Sequence, residues 1–307
     1  MRSGFVSIIG RPNVGKSTLL NQILGEKIAI TTPKPQTTRN CIRGIYTRFD
    51  NEEETEGVQI VFIDTPGIHK AHNKLGSVMT EAAIGTFREV DAILFLVDGS
   101  PERGKGDLFI LDLLKQVETP KILVINKIDE MDPAEFKKTY DTYEAMGLFR
   151  EIHGISALDG TNVEKLLAGL EPYMEEGPAY YPADMVTDHP ERFIVSEIIR
   201  EKLLSYLEEE VPHGVAVEIE RFKEGGRTKD GAELTEISAV IYCEKKSHKG
   251  IILGRQGKKI KGISKAARLE IEALLGTRVF LELWVKVKEN WRDSDIAIAN
   301  FGYRSDQ

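Results

Sequence analysis

The chain contains 307 residues, of which 41% are hydrophobic and 29% are charged, as is typical of a globular protein with room for two domains. No apolar run approaches the roughly 18 residues that a membrane-spanning helix needs. A glycine-rich motif begins at Gly10, which leaves no room for a signal peptide. The two cysteines, Cys41 and Cys243, have the spacing of neither a metal site nor a disulfide framework. We therefore expect a cytoplasmic protein with reduced thiols.

The net charge of −8 is unevenly distributed along the chain. Residues 1–182 hold 20 Lys and Arg against 27 Asp and Glu, whereas residues 191–307 hold 21 against 20. Within the second part, residues 245–268 contain nine basic residues and no acidic one. A basic run is often only a solvated face, but inside an acidic protein it also indicates a candidate polyanion site.

The first predicted element is a short buried strand at residues 5–9, followed by GRPNVGKS at residues 10–17 and a helical pattern at residues 18–24. Strand, glycine loop and helix in this order are the context of a phosphate-binding loop. Lys16 would reach the β- and γ-phosphates, and Ser17 would offer its hydroxyl to Mg²⁺. The predicted nucleotide contacts in this loop are Gly10, Arg11, Pro12, Asn13, Val14, Gly15, Lys16, Ser17 and Thr18.

Two strands follow, at residues 41–47 and 58–64, joined by a polar hairpin turn. The second strand ends in DTPG, which comprises Asp64, Thr65, Pro66 and Gly67. Asp64 would hold Mg²⁺ through water, and the Gly67 N–H would bind the γ-phosphate, although DTPG could equally be a plain strand-to-loop turn. In the preceding QTTRN segment, Thr37 or Thr38 would close over the Mg²⁺.

Further strands at residues 92–98 and 121–126 alternate with helices near residues 107–116, 133–146 and 163–174. This alternation predicts an α/β domain with a mostly parallel sheet and helices on both faces. Ligands of such sheets bind at the carboxyl ends of the strands.

The nucleotide base is predicted from NKID at residues 126–129, which follows a strand. Asp129 would accept two hydrogen bonds from guanine, whereas adenine would leave this carboxylate unpaired. Lys127 would cover the base plane with its aliphatic stem, and Asn126 completes the motif. In ISAL, at residues 155–158, the N–H groups of Ser156 and Ala157 would reach guanine O6. The base contacts are thus Asn126, Lys127, Asp129, Ser156, Ala157 and Leu158.

The second half begins after residues 177–190, a proline-containing stretch without periodicity that we interpret as a linker. The remaining pattern predicts a helix at residues 191–210, strands at 215–222 and 233–244, two basic helices around GRQG, and a strand at 278–288. The predicted order is α-β-β-α-α-β. The tail aromatics Trp291, Phe301 and Tyr303 could stack on bases. We expect them instead to pack against the last strand and assign them no function.

The GRQG segment at residues 254–257 lies between the two basic helices. Loops of the form G-x-x-G in KH modules clamp about four single-stranded nucleotides. The alternative is that the two glycines merely cap neighbouring helices. The predicted RNA contacts, which combine the loop, flanking lysines and an apolar groove floor, are Ile251, Ile252, Gly254, Arg255, Gln256, Gly257, Lys258, Lys259 and Lys261, with Ile260 also in the floor.

Taken together, these motifs resemble those of the Era family of bacterial GTPases over nearly the whole chain. The resemblance implies a Ras-like G domain at residues 1–176, a linker at 177–190, and a type II KH domain with a C-terminal tail at 191–307. It also implies a monomer that binds GTP and GDP with Mg²⁺, binds the 3′ end of 16S ribosomal RNA, and assists assembly of the 30S subunit. Peripheral association with the inner membrane has been attributed to such proteins.

One position departs from the Ras pattern, because Ile68 follows DTPG where Ras-type switches carry a water-orienting glutamine. Intrinsic turnover should therefore be slow, about 10⁻⁴ to 10⁻² s⁻¹. Asn13 resembles the asparagine that coordinates K⁺ in related GTPases, although it could simply tolerate a turn conformation. The expected catalytic residues are Lys16, Thr38 and Asn13.

The sequence thus favours a GTP-gated RNA-binding switch. One alternative is a constitutive RNA-binding chaperone in which the nucleotide is structural. A P-loop kinase is disfavoured, because NKID selects guanine and no phosphoacceptor site is visible.

Overall fold

The computed structural model describes residues 1–99 and 104–303. Contacts divide the chain into two compact units, one of residues 1–72 with 76–188, and the other of residues 73–75 with the chain from His189 onward. Among the described residues, no helix is long and apolar enough to cross a membrane.

The first unit is built on a seven-stranded sheet in the order β2-β3-β1-β4-β5-β6, with β7 paired to β1. Its strands are β1 (Arg2–Gly10), β2 (Ile42–Phe49), β3 (Gly57–Asp64), β4 (Ala92–Val97), β5 (Lys121–Ile125), β6 (Glu151–Gly154) and β7 (Glu175–Glu176). The pairs β2–β3 and β1–β7 are antiparallel, and the other pairs are parallel. The predicted mixed, mostly parallel sheet is confirmed.

The helices of this unit are α1 (Lys16–Leu24), α2 (Lys74–Gly85), α3 (Lys105–Leu114), α4 (Pro133–Glu144) and α5 (Val163–Leu170). Every residue of β4 and β5 is buried. Central parallel strands with both faces covered read as continuous apolar runs, which explains AILFLV and KILVI. Asp132 and Glu135 form a capping box that begins α4 at Pro133.

The second unit contains a three-stranded sheet in the order β10-β9-β8. Its elements, in the predicted order, are α6 (Glu191–Tyr206), β8 (Ala216–Arg227), β9 (Glu233–Cys243), α7 (Lys246–Leu253), α8 (Lys258–Leu275), β10 (Arg278–Val287) and a short terminal α9 (Asp295–Asn300). Strand β9 runs antiparallel to β8 and parallel to β10. The predicted type II KH topology is confirmed.

Two boundaries in this unit differ from the sequence prediction. Helix α6 ends at Tyr206, because an acidic run at residues 208–210 is unfavourable at the negative end of a helix dipole. Strand β8 continues to Arg227, five residues beyond its predicted end. Its pairing with β9 shifts register between Lys223 and Gly226, so a bulge absorbs the glycines that suggested a turn.

The tail aromatics pack inside the second unit. Trp291 is fully buried, and its Nε1–H donates to the Gly214 carbonyl at 2.9 Å. Phe301 and Tyr303 pack on the Trp291 ring, and Phe301 also contacts Tyr242 of the central strand β9. Residues 304–307 of the predicted tail lie outside the described residues.

Residues 177–188 belong to the first unit, although the sequence suggested a separate linker. The fully buried Gln59 of β3 holds them, because its Oε1 accepts the N–H groups of Tyr180 and Tyr181 at 2.8 and 3.0 Å. Its Nε2 donates to the Tyr181 carbonyl at 2.9 Å and to Thr47 at 3.0 Å. We call residues 177–188 the docked segment.

Replacing Gln59 with Met keeps the side-chain size but removes the three hydrogen bonds that the Gln59 side chain makes to Tyr180 and Tyr181 of the docked segment. An unsatisfied buried polar group costs about 1–3 kcal/mol, so amide exchange at Tyr180 and Tyr181 should accelerate by about 10- to 100-fold. Hydrogen–deuterium exchange measured by mass spectrometry tests this, with the exposed Gln116→Met as the control. Unchanged exchange in Gln59→Met would contradict the role of this side chain.

Candidate functional site

Four loops meet at the carboxyl edge of the larger sheet. They follow β1, β3, β5 and β6 and carry four of the five predicted nucleotide motifs, while the fifth, QTTRN, precedes β2. A cavity of about 430 Å³ lies there, within the size range of small-molecule sites. Its lining includes Pro12, Asn13, Gly15, Lys16, Ser17, Thr18, Gln36, Thr37, Thr38, Gly67 and Lys127.

The loop after β1 is shaped by left-handed backbone at Asn13 (φ 66°) and Gly15 (φ 102°). Lys16 begins α1 and is buried, with its Nζ donating to the Gly10 and Arg11 carbonyls at 3.3 and 2.9 Å. An ammonium has three protons, so one remains for a phosphate oxygen. Burial lowers the pKa of Lys16 to about 8, and an anionic ligand would favour the charged form.

Three oxygen ligands converge beside Lys16. Ser17 Oγ donates to Asp64 Oδ2 at 2.6 Å, and Thr38 Oγ1 lies 2.8 Å from Ser17 Oγ and 3.5 Å from Asp64 Oδ2. Burial raises the pKa of Asp64 to about 6. Its other oxygen, Oδ1, is buried without a hydrogen-bond partner in the described part of the chain.

Two hydroxyls and a carboxylate are the hard oxygen ligands that Mg²⁺ prefers. A buried carboxylate oxygen that lacks a donor is costly, and a cation or its bound water would satisfy it. Ser17, Thr38 and Asp64 therefore fit Mg²⁺. Of the two predicted threonines, Thr38 is the one at this position, whereas Thr37 Oγ1 donates to the Lys34 carbonyl at 2.6 Å.

The Asn126 carboxamide joins three of the loops. Its Nδ2 donates to the Val14 carbonyl at 2.8 Å, and its Oδ1 accepts the Ala157 N–H at 2.9 Å. An alanine Cβ at Gly15 would lie 2.1 Å from the same Nδ2, so only glycine permits this approach. Asn126 is thus fixed by protein contacts and aligns the phosphate loop with the base site.

The base site differs from the prediction at ISAL. The Ala157 N–H is occupied by Asn126, and the Ser156 N–H donates to the Thr161 carbonyl at 3.1 Å. Buried N–H groups find partners within the fold, and both of these have a protein acceptor in this structure. The Leu158 N–H, by contrast, makes no hydrogen bond to another described residue.

The other predicted base residues come from NKID and ISAL. The side chains of Asp129 and Leu158 are exposed, and Lys127 has a left-handed backbone (φ 65°) and lines the cavity. Asp129 lies in the short 3₁₀ turn that follows Lys127. This arrangement leaves the Asp129 carboxylate accessible to a ligand base.

The side chains of several motif residues are buried or bonded within the protein, which leaves their backbone groups for a ligand. Arg11 turns away from the cavity and pairs with Asp98 and Asp107 at 2.8 and 2.7 Å. Val14 and Pro66 are buried, and Thr65 Oγ1 donates to the Ile8 carbonyl at 2.8 Å.

Gly67, the last residue of DTPG, and Ile68, which follows it, have different environments. A Cβ on Gly67 would lie 2.7–2.9 Å from Pro12 atoms, so this peptide packs directly on the phosphate loop. Ile68 is fully buried in the core cluster of the sheet, and its N–H donates to the Gly10 carbonyl at 3.1 Å. Ile68 therefore anchors the segment and presents no side chain to the cavity.

Two residues to which the motifs assigned no role lie at this site. Gln36 lines the cavity, and its Nε2 lies 3.2 Å from His69 Nε2. The only sequence signal for them is position, because Gln36 precedes the two threonines and His69 follows Ile68. Asn13 Nδ2 likewise reaches the same loop, donating to the Pro33 carbonyl at 2.8 Å.

The candidate RNA site begins at the GRQG loop. Gly254, Gln256 and Gly257 all have positive φ (69°, 53° and 72°). A Cβ on Gly254 would lie 2.7 Å from Lys259 Cβ, whereas one on Gly257 would find no atom nearer than 3.9 Å. Gly254 is therefore required by packing, and Gly257 leaves room for a ligand backbone.

Lysines occupy the first turn of α8 beside this loop. Lys258 and Lys261 are exposed, Lys259 is half-buried, and the turn contains no acidic residue. Cations at the positive end of a helix dipole are unfavourable by about 0.3–1 kcal/mol each. Their placement is thus better explained by an anionic ligand than by helix stability. Arg255 and Gln256 are also exposed.

The predicted groove floor is corrected at Ile252. This residue is fully buried in the core, whereas its neighbour Ile251 is 43% exposed and Ile260 is half-buried. Consecutive helical residues point about 100° apart, so Ile251 and Ile252 cannot share one face. Of the three predicted floor residues, Ile251 and Ile260 keep some exposed surface and Ile252 does not.

Comparison with protein families gives matches to both units. A family described as 50S ribosome-binding GTPase matches residues 5–127, and a family described as KH domain matches residues 210–292. The chain is 55% identical over 302 residues to GTPase Era of Alkaliphilus oremlandii, covering 98% of this chain and 99% of that protein. It is also 55% identical to GTPase Era of Clostridioides difficile, covering 98% of each.

Two solved structures are similar over 99% of both chains. One is Era in complex with MgGDPNP and nucleotides 1506–1542 of 16S ribosomal RNA, with a TM-score of 0.91 and 39% identity. The other is a single-residue variant of Era from Aquifex aeolicus bound to GDP·AlF4⁻, with a TM-score of 0.89 and 38% identity.

The contact between Gly15 and Asn126 gives a direct test of the site. Gly15→Ala should weaken nucleotide binding by about 10- to 100-fold, because strain at positive φ and a lost hydrogen bond each amount to about 1–3 kcal/mol. Titration with a fluorescent guanine nucleotide measures this.

The matched control is Gly25→Ala. Gly25 also has positive φ (68°) but has nothing within 4 Å of an added Cβ. This variant should lose stability and keep its nucleotide affinity. Equal affinities for Gly15→Ala and the unaltered chain would refute the close approach.

Proposed function

The chain belongs to the Era family of GTPases, and we propose that it is a GTP-dependent switch that binds the 3′ end region of 16S ribosomal RNA and assists assembly of the small (30S) ribosomal subunit. We assign the nucleotide to residues 1–176, the RNA to residues 191–307, and a connecting role to residues 177–190. The observation that carries the proposal is the Asn126 carboxamide, which holds the phosphate loop and the base site in one arrangement.

Our proposed mechanism assigns each group a role in GTP hydrolysis. Lys16 would neutralise charge on the β- and γ-phosphates, and the Gly67 N–H would bind the γ-phosphate. Ser17, Thr38 and Asp64 would hold Mg²⁺, which supplies charge neutralisation at the phosphate oxygens. After hydrolysis, Gly67 would lose its ligand and Thr38 would be released, so both switch segments would be free to rearrange.

Guanine specificity is proposed to reside in Asp129. In Asp129→Asn, the amide would donate where guanine also donates, so GTP affinity should fall by at least about 100-fold. Xanthosine triphosphate, which has a carbonyl in place of the 2-amino group, should bind this variant better than GTP.

Competition with a labelled guanine nucleotide measures both affinities. ATP should displace the label from neither protein. Comparable displacement by ATP and GTP from the unaltered chain would remove the proposed specificity.

RNA binding is proposed for the GRQG loop and the first turn of α8. The similar Era structure contains 16S ribosomal RNA, which supports the small subunit as the binding partner of this chain. The matching family is nevertheless described as 50S ribosome-binding GTPase. Each lysine that neutralises a phosphate releases counterions, so affinity should fall steeply with salt.

Gly257→Asp combined with Lys258→Asp should abolish binding of an oligonucleotide that carries the 16S 3′ end and leave GTP affinity unchanged. The matched control is Gly231→Asp with Lys229→Asp, since Gly231 also has positive φ (89°) and open space around it. That pair makes the same change of charge in the exposed β8–β9 turn. Equal RNA affinities of the two double variants would contradict the assignment.

A link between the two functions is proposed through the docked segment. The Ile45 N–H donates to the Val186 carbonyl, Thr187 Oγ1 donates to the Arg43 carbonyl, and Arg43 pairs with Asp188 at 2.8 Å. These contacts lie on β2, directly after the loop that carries Thr38. Equal RNA affinity with GDP and with a GTP analogue would exclude such coupling and favour the alternative of a constitutive RNA chaperone.

We also propose that K⁺ binds near Asn13. The Asn13 side chain contacts the Pro33 carbonyl, which supports an oxygen-rich position between the phosphate loop and the 31–38 loop. Equal hydrolysis rates in KCl and NaCl would exclude it.

We propose that the chain acts as a monomer in the cytoplasm, where small subunits assemble. Peripheral membrane association is an expectation from the family resemblance that no described feature supports.

A further inference from the structure

We propose that Gln36 orients the water that attacks the γ-phosphate, and that His69 positions Gln36 for this role. The inference rests on the proposed GTP hydrolysis and names the group that replaces the glutamine missing after DTPG. It makes Gln36 a catalytic residue and His69 a positioning residue.

The residue after Gly67 cannot supply the missing group. Ile68 is fully buried against core residues of the sheet, and its N–H is fixed to the Gly10 carbonyl. Turning it toward the cavity would break this hydrogen bond and expose a large apolar side chain to water, and both changes are unfavourable. A water-orienting group must therefore come from another segment.

Gln36 belongs to the loop before β2 and lines the cavity together with Lys16, Thr38 and Gly67. Its backbone has φ 61°, which is uncommon for a residue with a Cβ. Such strain persists where surrounding contacts enforce it, and it concentrates at functional sites.

Hydrogen bonds within the loop enforce this conformation. Thr37 Oγ1 donates to the Lys34 carbonyl at 2.6 Å and lies 2.7 Å from Thr32 Oγ1. The Lys34 N–H donates to the same Thr32 hydroxyl at 3.2 Å. The loop therefore presents the Gln36 side chain from a fixed base.

His69 holds the carboxamide from the other switch segment. Its Nδ1 lies 2.9 Å from the Gly67 carbonyl, which can only accept, so Nδ1 carries the proton. Nε2 of that neutral tautomer then accepts from Gln36 Nε2 at 3.2 Å. The His69 carbonyl is itself anchored by Thr80 Oγ1 at 3.3 Å.

This chain of contacts fixes the Gln36 amide beside the Gly67 peptide, whose N–H we assign to the γ-phosphate. No described residue donates to Gln36 Oε1, which leaves this oxygen as an acceptor for water. The proposed step forms a bond between the water oxygen and the γ-phosphorus as the bond from that phosphorus to the β–γ bridging oxygen breaks. The carboxamide orients the water without taking its proton, which passes to the phosphate product.

The test compares kcat, KM and nucleotide affinity in Gln36→Ala, His69→Ala and the double variant. Removal of one group that orients or stabilises the transition state typically lowers kcat by about 10²- to 10³-fold. We expect a loss of at least about tenfold in Gln36→Ala, with KM and GDP affinity unchanged. A smaller loss is expected in His69→Ala, and the double variant should be no slower than Gln36→Ala, because both changes disable one unit.

Binding of GDP with aluminium fluoride separates catalysis from structure, because this complex mimics the transition state. Gln36→Ala should bind it less tightly while binding GDP normally, and a residue that only stabilised the loop would weaken both. The control, Gln116→Ala, removes an exposed carboxamide outside the cavity and should change nothing.

A Gln36→Ala variant with kcat within twofold of the unaltered chain would overturn the inference. Failure of the unaltered chain to hydrolyse GTP would instead overturn the proposed function. The two failures are therefore distinguishable in one series of measurements.

Discussion

The nucleotide site depends on one carboxamide. Asn126 accepts an N–H from the loop after β6 and donates to a carbonyl of the loop after β1, and it follows β5 itself. Three loops far apart in sequence are thereby joined at one edge of the sheet. The constraint is steric as well as polar, because Gly15 must lack a side chain for the contact to form. Local sequence preferences such as turn propensity determine the conformation of each loop. The Asn126 contacts fix the positions of the loops relative to one another.

The parts of the site that the sequence predicts well are those encoded by contiguous residues. Lys16 and Ser17 follow from the glycine loop, and Asp64 follows from the end of a strand, because backbone geometry fixes where such residues point. At ISAL, by contrast, Thr161 and Asn126 of the protein itself compete with a ligand for the N–H groups of Ser156 and Ala157. No local pattern reveals that competition, since it depends on which loop packs beside which.

The same reasoning explains two features outside the nucleotide site that the sequence does not reveal. Composition identifies residues 177–190 as irregular, but irregular backbone can still be ordered when a buried side chain satisfies it, as Gln59 does. Alternation of apolar and basic residues suggested that Ile252 lines the RNA groove, but helical geometry turns it into the core. In both cases the type of secondary structure can be predicted from the sequence, but the residues that surround it cannot. Burial depends on how the whole unit packs.

The two proposed ligand sites share an electrostatic design. Lys16 is held away from water, which lowers its pKa, and the lysines of the first turn of α8 oppose the helix dipole. Each arrangement is unfavourable for the folded protein alone and becomes favourable beside phosphate. Part of the binding free energy therefore comes from pairing the desolvated Lys16 with an anion and from neutralising the lysines that the helix dipole repels. Ligand binding should also stabilise each unit against unfolding by mass action. The proximity of opposite charges, rather than shape alone, thus accounts for why both sites select polyanions.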